Sequence, residues 1–344
     1  MRYKNQVFIP TVAEFKEDIQ TSMSIQKPLA EAGYATGLML VIRGGKRGVT
    51  LGEIISKQYS NISAIYEPFQ GAEMSAIALM LSNMPIEEID FLHSPRHSAE
   101  HVMKGVDFAR KMPVNFERKI LTFHLNSLVT KSEFLSLSEA QWKREFSQTM
   151  YPALMQVSNY AKKNGIEIKV ETVPVPEFGD IPSSDTRRYR GAKLSELRNP
   201  FYFTSSWGFS QAREAGLGIC LDLSHSRTIY EVAKNTDSTD PESSLFKGDY
   251  GLLKGRSLLD DVMDLERTDI VHLNDGAGNY LSNPERVFKE NLVLGEGEIK
   301  DLKKMVRRLD EKGIAYVLEI GETNFKERPN TAASIKYLLE SAQT

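Results

Sequence analysis

The chain has 344 residues, enough for one large α/β barrel with extensions or for two ordinary domains. Apolar residues make up 41 % and charged residues 26 %, as in a globular protein, and a formal net charge of −3 exerts no overall pull on nucleic acid. There is no run of about 18 apolar residues to span a membrane, no apolar stretch of the secretory kind at the start, and only one cysteine, Cys220, so no internal disulfide. A cytoplasmic protein is expected.

In chain order, residues 1–35 precede the first predicted strand and are expected to pack as an N-terminal extension, leaving 36–344 as the main domain. Eight short β-rich runs follow: 37–43 (GLMLVIR), 62–66 (ISAIY), 89–93 (IDFLH), 119–124 (KILTFH), 166–171 (IEIKVE), 217–222 (LGICLD), 269–273 (DIVHL) and 314–319 (IAYVLE). They are apolar almost throughout rather than alternating, the mark of strands covered on both faces. Between them lie stretches with helical spacing. Over 142–163, Phe146, Met150, Leu154, Val157 and Tyr160 form one apolar stripe, which Asn164–Gly165 terminates. Lys312–Gly313 acts likewise before the eighth run. Strand and helix alternating eight times predict an α/β fold, a (β/α)8 TIM barrel, with an open doubly wound sheet as the competitor. Two βα loops, 174–206 after the fifth strand and 235–255 after the sixth, are long enough to serve as lids or substrate-binding walls.

Six consecutive predicted strands end in, or just short of, a residue type that binds metals: His93, His124, Glu171, Asp222, His272 and Glu319. Singly, each has an ordinary explanation, since a strand-end histidine is commonly a hydrogen-bonded structural residue and an Asp or Glu there can cap the next helix. Together, at the C-terminal mouth of a barrel, they would repel and suffer desolvation unless a cation joined them. Mixed oxygen and imidazole donors suit Mn, Zn, Fe or Co. Other features leave two readings open. Residues 43–48 (RGGKRG) could bind an anion or form a flexible turn. Arg187, Arg188, Arg190 and Lys193 could grip a phosphate or be solvated. His97 and His101, one turn apart, are expected on an exposed helix face. Trp207, with Phe201, Tyr202 and Phe203, could line a substrate pocket or pack in the core.

The ordered set HSP at His93, FHLNS at His124, VETVP at Glu171, GICLDLSH at Asp222 and His225, VHLND at His272, LGEGEI at Glu296 and LEIGE at Glu319 resembles a known superfamily. It is the one that joins endonuclease IV to the xylose-isomerase-like sugar isomerases and epimerases. The endonuclease IV branch implies zinc ligands at His93, His124, Glu171, Asp222, His272 and Glu319. Its third zinc would need His225 and an Asp-x-His where this chain has Lys289, Glu290 and Asn291. The isomerase branch implies a single divalent ion, Mn, Co, Mg or Zn, held by Glu171, Asp222, His272 and Glu319, with two ions possible.

On that branch Glu171 and Glu319 are also the catalytic acid–base pair, moving a proton through a metal-stabilised enediolate. His225, Arg187, Arg188 and Trp207 are the candidate substrate-binding residues. The favoured expectation is therefore a sugar or sugar-phosphate isomerase or epimerase. A zinc phosphodiesterase acting on abasic-site DNA is the alternative, and a non-catalytic binding barrel is a second. The partner is a small sugar-type molecule, with nucleic acid only under the nuclease reading and no membrane; a homo-oligomer is left open.

Overall fold

A computed structural model of the chain describes residues 5–11, 16–43, 74–82, 89–111, 118–175, 188–202, 207–236, 244–278 and 288–342. Its barrel strands are β1 (Gln6–Thr11), β2 (Ala35–Arg43), β3 (Met74–Ser82), β4 (Arg118–His124), β5 (Glu167–Glu171), β6 (Gly218–Asp222), β7 (Ile270–His272) and β8 (Ala315–Val317). Each pairs in parallel with the next in chain order, and β8 returns to β1 through Val7↔Tyr316 and Phe8↔Val317, closing an eight-stranded barrel. The competing open sheet is thereby ruled out.

Alternation along the strands sorts the side chains. Val7, Ile9, Leu121, Phe123, Ile219, Leu221 and Tyr316 are buried against the surrounding helices. Phe8, Met39, Val41, Ile120, Cys220, Ile270, Ala315 and Val317 form a separate cluster that fills the barrel interior. Towards the N-terminal ends of the strands the chain buries charge. Lys169, 5 % exposed, places its Nζ 3.0 Å from Glu167 Oε2, and Arg118 grips Glu167 with a fork of 2.6 and 2.8 Å bonds. Gly218 makes room for this group, because a Cβ there would lie 2.6 Å from Lys169 Cδ.

Three sequence expectations are corrected. The segment expected to be an N-terminal extension contributes β1 to the barrel. Its apolar core, VFIP, is short and ends in Pro10, which hid it from a pattern search. The run 89–93 is not a strand: it turns directly into helix α1 (Pro95–Lys111). Asp90 causes this, because its Oδ1 accepts the amides of Leu92 and His93 at 3.1 Å each, taking donors a ladder would need. The third barrel position is filled by β3, and the predicted run 62–66 lies outside the described residues.

The stripe over 142–163 is realised as helix Glu139–Glu145, a π-helical turn Phe146–Met150 and helix α2 (Tyr151–Lys163). Pro152 lacks an N–H for the carbonyl four residues back, which places the irregular turn just before it. Gly165 and Gly313 adopt left-handed conformations at the predicted helix ends.

Both long loops carry structure. The first includes a small hairpin, Arg188–Tyr189 against Ala192–Lys193. The second folds helix Lys247–Leu253 back so that Leu245, Tyr250 and Leu253 pack with Ile229, Val232 and Ala233 of helix α3 (Leu223–Asn235). Tyr202 joins them, donating to Asp249 at 2.5 Å and accepting from the Phe246 amide at 2.7 Å. Among the described residues no helix is long and apolar enough to cross a membrane.

Candidate metal centre

Parallel register brings four side chains together at the C-terminal mouth. Glu171, Asp222 and His272 are the last residues of β5, β6 and β7, and Glu319 follows β8 by two residues. Asp222 lies opposite His272 and His272 opposite Val317, so the ends stand at nearly one height. One donor atom from each of the four lies within 4.8 Å of every other. The His272 Nδ1 atom is 2.9 Å from Glu171 Oε1, 2.7 Å from Glu319 Oε2 and 3.8 Å from Asp222 Oδ2. Donors around one small divalent ion, each about 2.0–2.2 Å from it, span up to about 4 Å, so this set fits with little contraction. The chemistry fits too, since three carboxylates converge on one point where Glu171, Asp222 and His272 are fully buried.

Neighbouring residues fix the donors. Asp222 uses Oδ1 to cap α3, accepting from the His225 amide at 2.7 Å and the Ser224 hydroxyl at 2.9 Å. Its Oδ2 accepts from Asn274 Nδ2 at 2.9 Å. Capping and facing the cluster are thus roles of two different oxygens of one carboxylate. Asn274, fully buried, also accepts from the Ser224 amide at 3.0 Å and donates to Asn291 Oδ1 at 2.8 Å.

Protonation follows from burial and neighbours. Burial pushes the Asp222 carboxyl up to about 6. Burial works in the same direction on Glu171, yet His272 and His124 hold its carboxyl well below the ordinary range. Burial opposes charge on the His272 ring, but the Glu171 and Glu319 carboxylates beside it hold it well above its usual value. The Cys220 thiol beneath it is itself raised to about 12 by burial and stays protonated. The cation on the His272 ring is therefore balanced by the carboxylates.

A second donor set, His124, Glu171 and His225, shares Glu171 with the first. His124 Nε2 is 3.2 Å from Glu171 Oε2, and its ring meets that of His225 edge-on at 5.7 Å. His225 Nδ1 faces the Thr172 carbonyl at 2.9 Å, and its Nε2 is 3.1 Å from Glu290 Oε2. Glu290 arrives on the strand Lys289–Leu292, which pairs antiparallel with Asp275–Ala277 just beyond β7. Asp275 holds the adjoining LGEG turn by accepting from the amides of Gly295, Gly297 and Ile299 at 3.0, 3.0 and 3.1 Å.

The remaining candidates lie elsewhere. His93 does not join the cluster: its Nδ1 is 2.7 Å from Asp90 Oδ2, which also accepts a short bond from the Tyr189 hydroxyl. Trp207 packs against Phe146 and Phe201, with ring centres 5.4 and 6.2 Å apart, in an aromatic cluster behind the barrel wall. Arg188 is exposed and donates to the Gly191 carbonyl at 2.6 Å, while Arg187 lies outside the described residues, as do residues 44–48. His97 is exposed as expected, but His101 is 5 % exposed and buried. Sequence reading passed over Asn274 and Asp90, and met Glu290 only within the stretch that stands in place of a third-zinc ligand pair. Asn274 was visible within VHLND, whereas the placement of Glu290 depends on a hairpin pairing that no local pattern announces.

No protein-family model matches the chain, and no curated protein sequence is significantly similar to it. Solved structures are. A D-tagatose 3-epimerase-like protein superposes over 97 % of each chain with a TM-score of 0.55 at 16 % identity. A xylose isomerase domain protein from Planctomyces limnophilus covers 100 % of this chain and 98 % of its own, with a TM-score of 0.55 at 10 % identity. A D-allulose 3-epimerase from Methylomonas sp. covers 99 % and 100 %, with a TM-score of 0.50 at 12 % identity. At such identities the likeness is one of fold. What the chain shares with them is the closed eight-stranded α/β barrel.

Proposed function

We propose that the protein is a divalent-metal-dependent isomerase or epimerase of a sugar or sugar phosphate. The observation that carries this reading is the convergence of Glu171, Asp222, His272 and Glu319 within 4.8 Å at the mouth of the barrel. The epimerase names among the proteins of similar fold support it.

Glu171, Asp222, His272 and Glu319 are the ligands. A Mn, Co, Mg or Zn ion held there would polarise adjacent sugar oxygens and offset the negative charge that develops as a carbon-bound proton leaves. Glu171 and Glu319 supply the proton chemistry: one carboxylate takes the proton from carbon, and the other returns one to the opposite face or to the neighbouring carbon. Of the two, Glu319 has the side chain that reaches the opening, at 17 % exposure against none for Glu171. His225 lies beside Glu171 and contributes a polar wall to the same space.

Glu319→Gln removes a ligand charge and a base while keeping volume. Sugar interconversion is expected to fall by about 100-fold or more, the usual scale for a lost acid–base group, with an unchanged melting profile. Undiminished activity in that variant sinks the assignment.

A second reading is a two-metal phosphodiesterase acting on abasic-site DNA, favoured by the sharing of Glu171 between two donor sets. It requires strand cleavage of such DNA with zinc or manganese supplied.

A further inference from the structure

A cavity of about 560 Å³ lies beside α3 and apart from the metal centre, none of whose four residues lines it. Its walls are α3, the stretch that joins helix Lys247–Leu253 to helix Leu258–Asp264, and the turn 298–301 before helix Leu302–Lys312. We propose that this cavity binds one small organic acid, a single carboxylate carried on an apolar body. The site is independent of the reaction proposed for the barrel mouth.

Size and lining define the body of the ligand. The volume falls within the range of about 300–1,000 Å³ that small-molecule sites occupy. Ala233, Leu253, Leu258 and Met305, all buried, and Leu259 and Ile299, half-buried, supply apolar surface. The polar groups between them are already engaged. The Tyr230 hydroxyl donates to Asp261 at 2.7 Å, and the Ser257 hydroxyl donates to Asp260 at 2.7 Å. Walls whose hydroxyls are committed elsewhere suit a hydrocarbon or aromatic body and not a sugar.

Charge defines the head. Five cationic side chains and three carboxylates line the cavity. Arg227 is matched, since it donates to the Gly278 carbonyl at 2.6 Å and makes a short bond to Glu298. Arg256 is matched too, by a short bond to Asp264 and by Asp261 at 3.4 Å, neither of which lines the cavity. Lys234, Lys254 and Lys300 remain, all exposed, against Glu231 and Asp301. None of these three lysines has an ion-pair partner among the described residues. The rim therefore carries one positive charge in excess over an apolar floor, and a single carboxylate balances it.

The test titrates octanoate calorimetrically into the full chain, with 1-octanol as its uncharged counterpart. The wild type is expected to take up one equivalent of octanoate, about fivefold or more tightly than octanol. Lys254→Glu/Lys300→Glu reverses charge at two exposed positions. It should weaken octanoate by roughly tenfold and leave octanol within about twofold. Ala233→Phe fills the cavity from a buried wall and should abolish both. Circular dichroism checks folding, and the lysine pair carries the test if Ala233→Phe does not fold. No uptake of octanoate at millimolar concentration overturns the proposal. So does equal affinity for octanoate and octanol, or octanoate affinity unchanged by the lysine reversals. Mn²⁺ titration of the same proteins is expected to match the wild type, so failure at the cavity and failure of the metal centre are told apart.

Discussion

Asn274 offers a sharp test of how the centre is held, because it is buried, uncharged and not itself a ligand. Its amide nitrogen donates to Asp222 Oδ2 at 2.9 Å, and its oxygen accepts from the Ser224 amide at 3.0 Å. The other Asp222 oxygen is occupied in capping α3. Asn274→Ala therefore frees the oxygen that faces His272 and leaves the cap in place. A hydrogen bond to a charged group contributes about 1.5–3 kcal/mol. At about 1.4 kcal/mol per factor of ten, its loss should weaken metal binding by roughly 10–100-fold, the range also expected for residues that orient metal ligands. Calorimetric titration of the chelator-treated variant with Mn²⁺ reads this directly, with Asp222→Asn as the control that loses binding outright. A variant that binds within about threefold of the wild type, while the control fails, would refute the claim that Asn274 sets the Asp222 donor.

The protonation pattern predicts the pH dependence of metal binding. Asp222 sits at about 6, and the ring of His272 holds its proton well above its usual value. An incoming ion displaces the proton of His272 and, as pH falls through about 6, competes with one on Asp222 as well, so affinity falls with acidity. Asp222 alone accounts for about tenfold between pH 7 and pH 5, and His272 adds to it. A flat profile over that window contradicts the assigned protonation. At the other end of the barrel the buried charges should respond unequally. Glu167→Ala leaves Lys169, 5 % exposed, without its partner and should cost about 3–5 kcal/mol. Lys169→Met leaves Glu167 still gripped by Arg118 and should cost far less. Urea midpoints of the two variants give the comparison, and equal losses would show that the Arg118 fork does not carry Glu167.

The parts of this protein legible in its sequence are those governed by short-range pattern. Covered parallel strands need long apolar runs, so six of the eight barrel strands stood out, and with them the alternation that implies closure. Two strands escaped, β3 and β1, the latter because its apolar core is short and ends in Pro10; conversely, 89–93 is apolar in sequence but Asp90 bends it into a turn. The four-residue centre was legible because each member ends or follows a strand, and parallel register converts that sequence position into spatial convergence. Residues whose placement depends on side-chain direction were not. His93 had the right position but turned to Asp90, and Trp207 turned into an aromatic cluster. Glu290 reached the site by an antiparallel pairing outside the barrel ladder.

The central claim is proton transfer at a sugar carbon by a metal-loaded centre. Incubating the Mn²⁺-loaded protein with a panel of ketoses, aldoses and their phosphates in D₂O, and following carbon-bound hydrogen by NMR, tests it most directly. The account predicts wash-in of deuterium at the carbon beside the carbonyl of at least one sugar, lost in Glu319→Gln. No exchange into any sugar, from a protein that under the same loading cleaves abasic-site DNA, would contradict it.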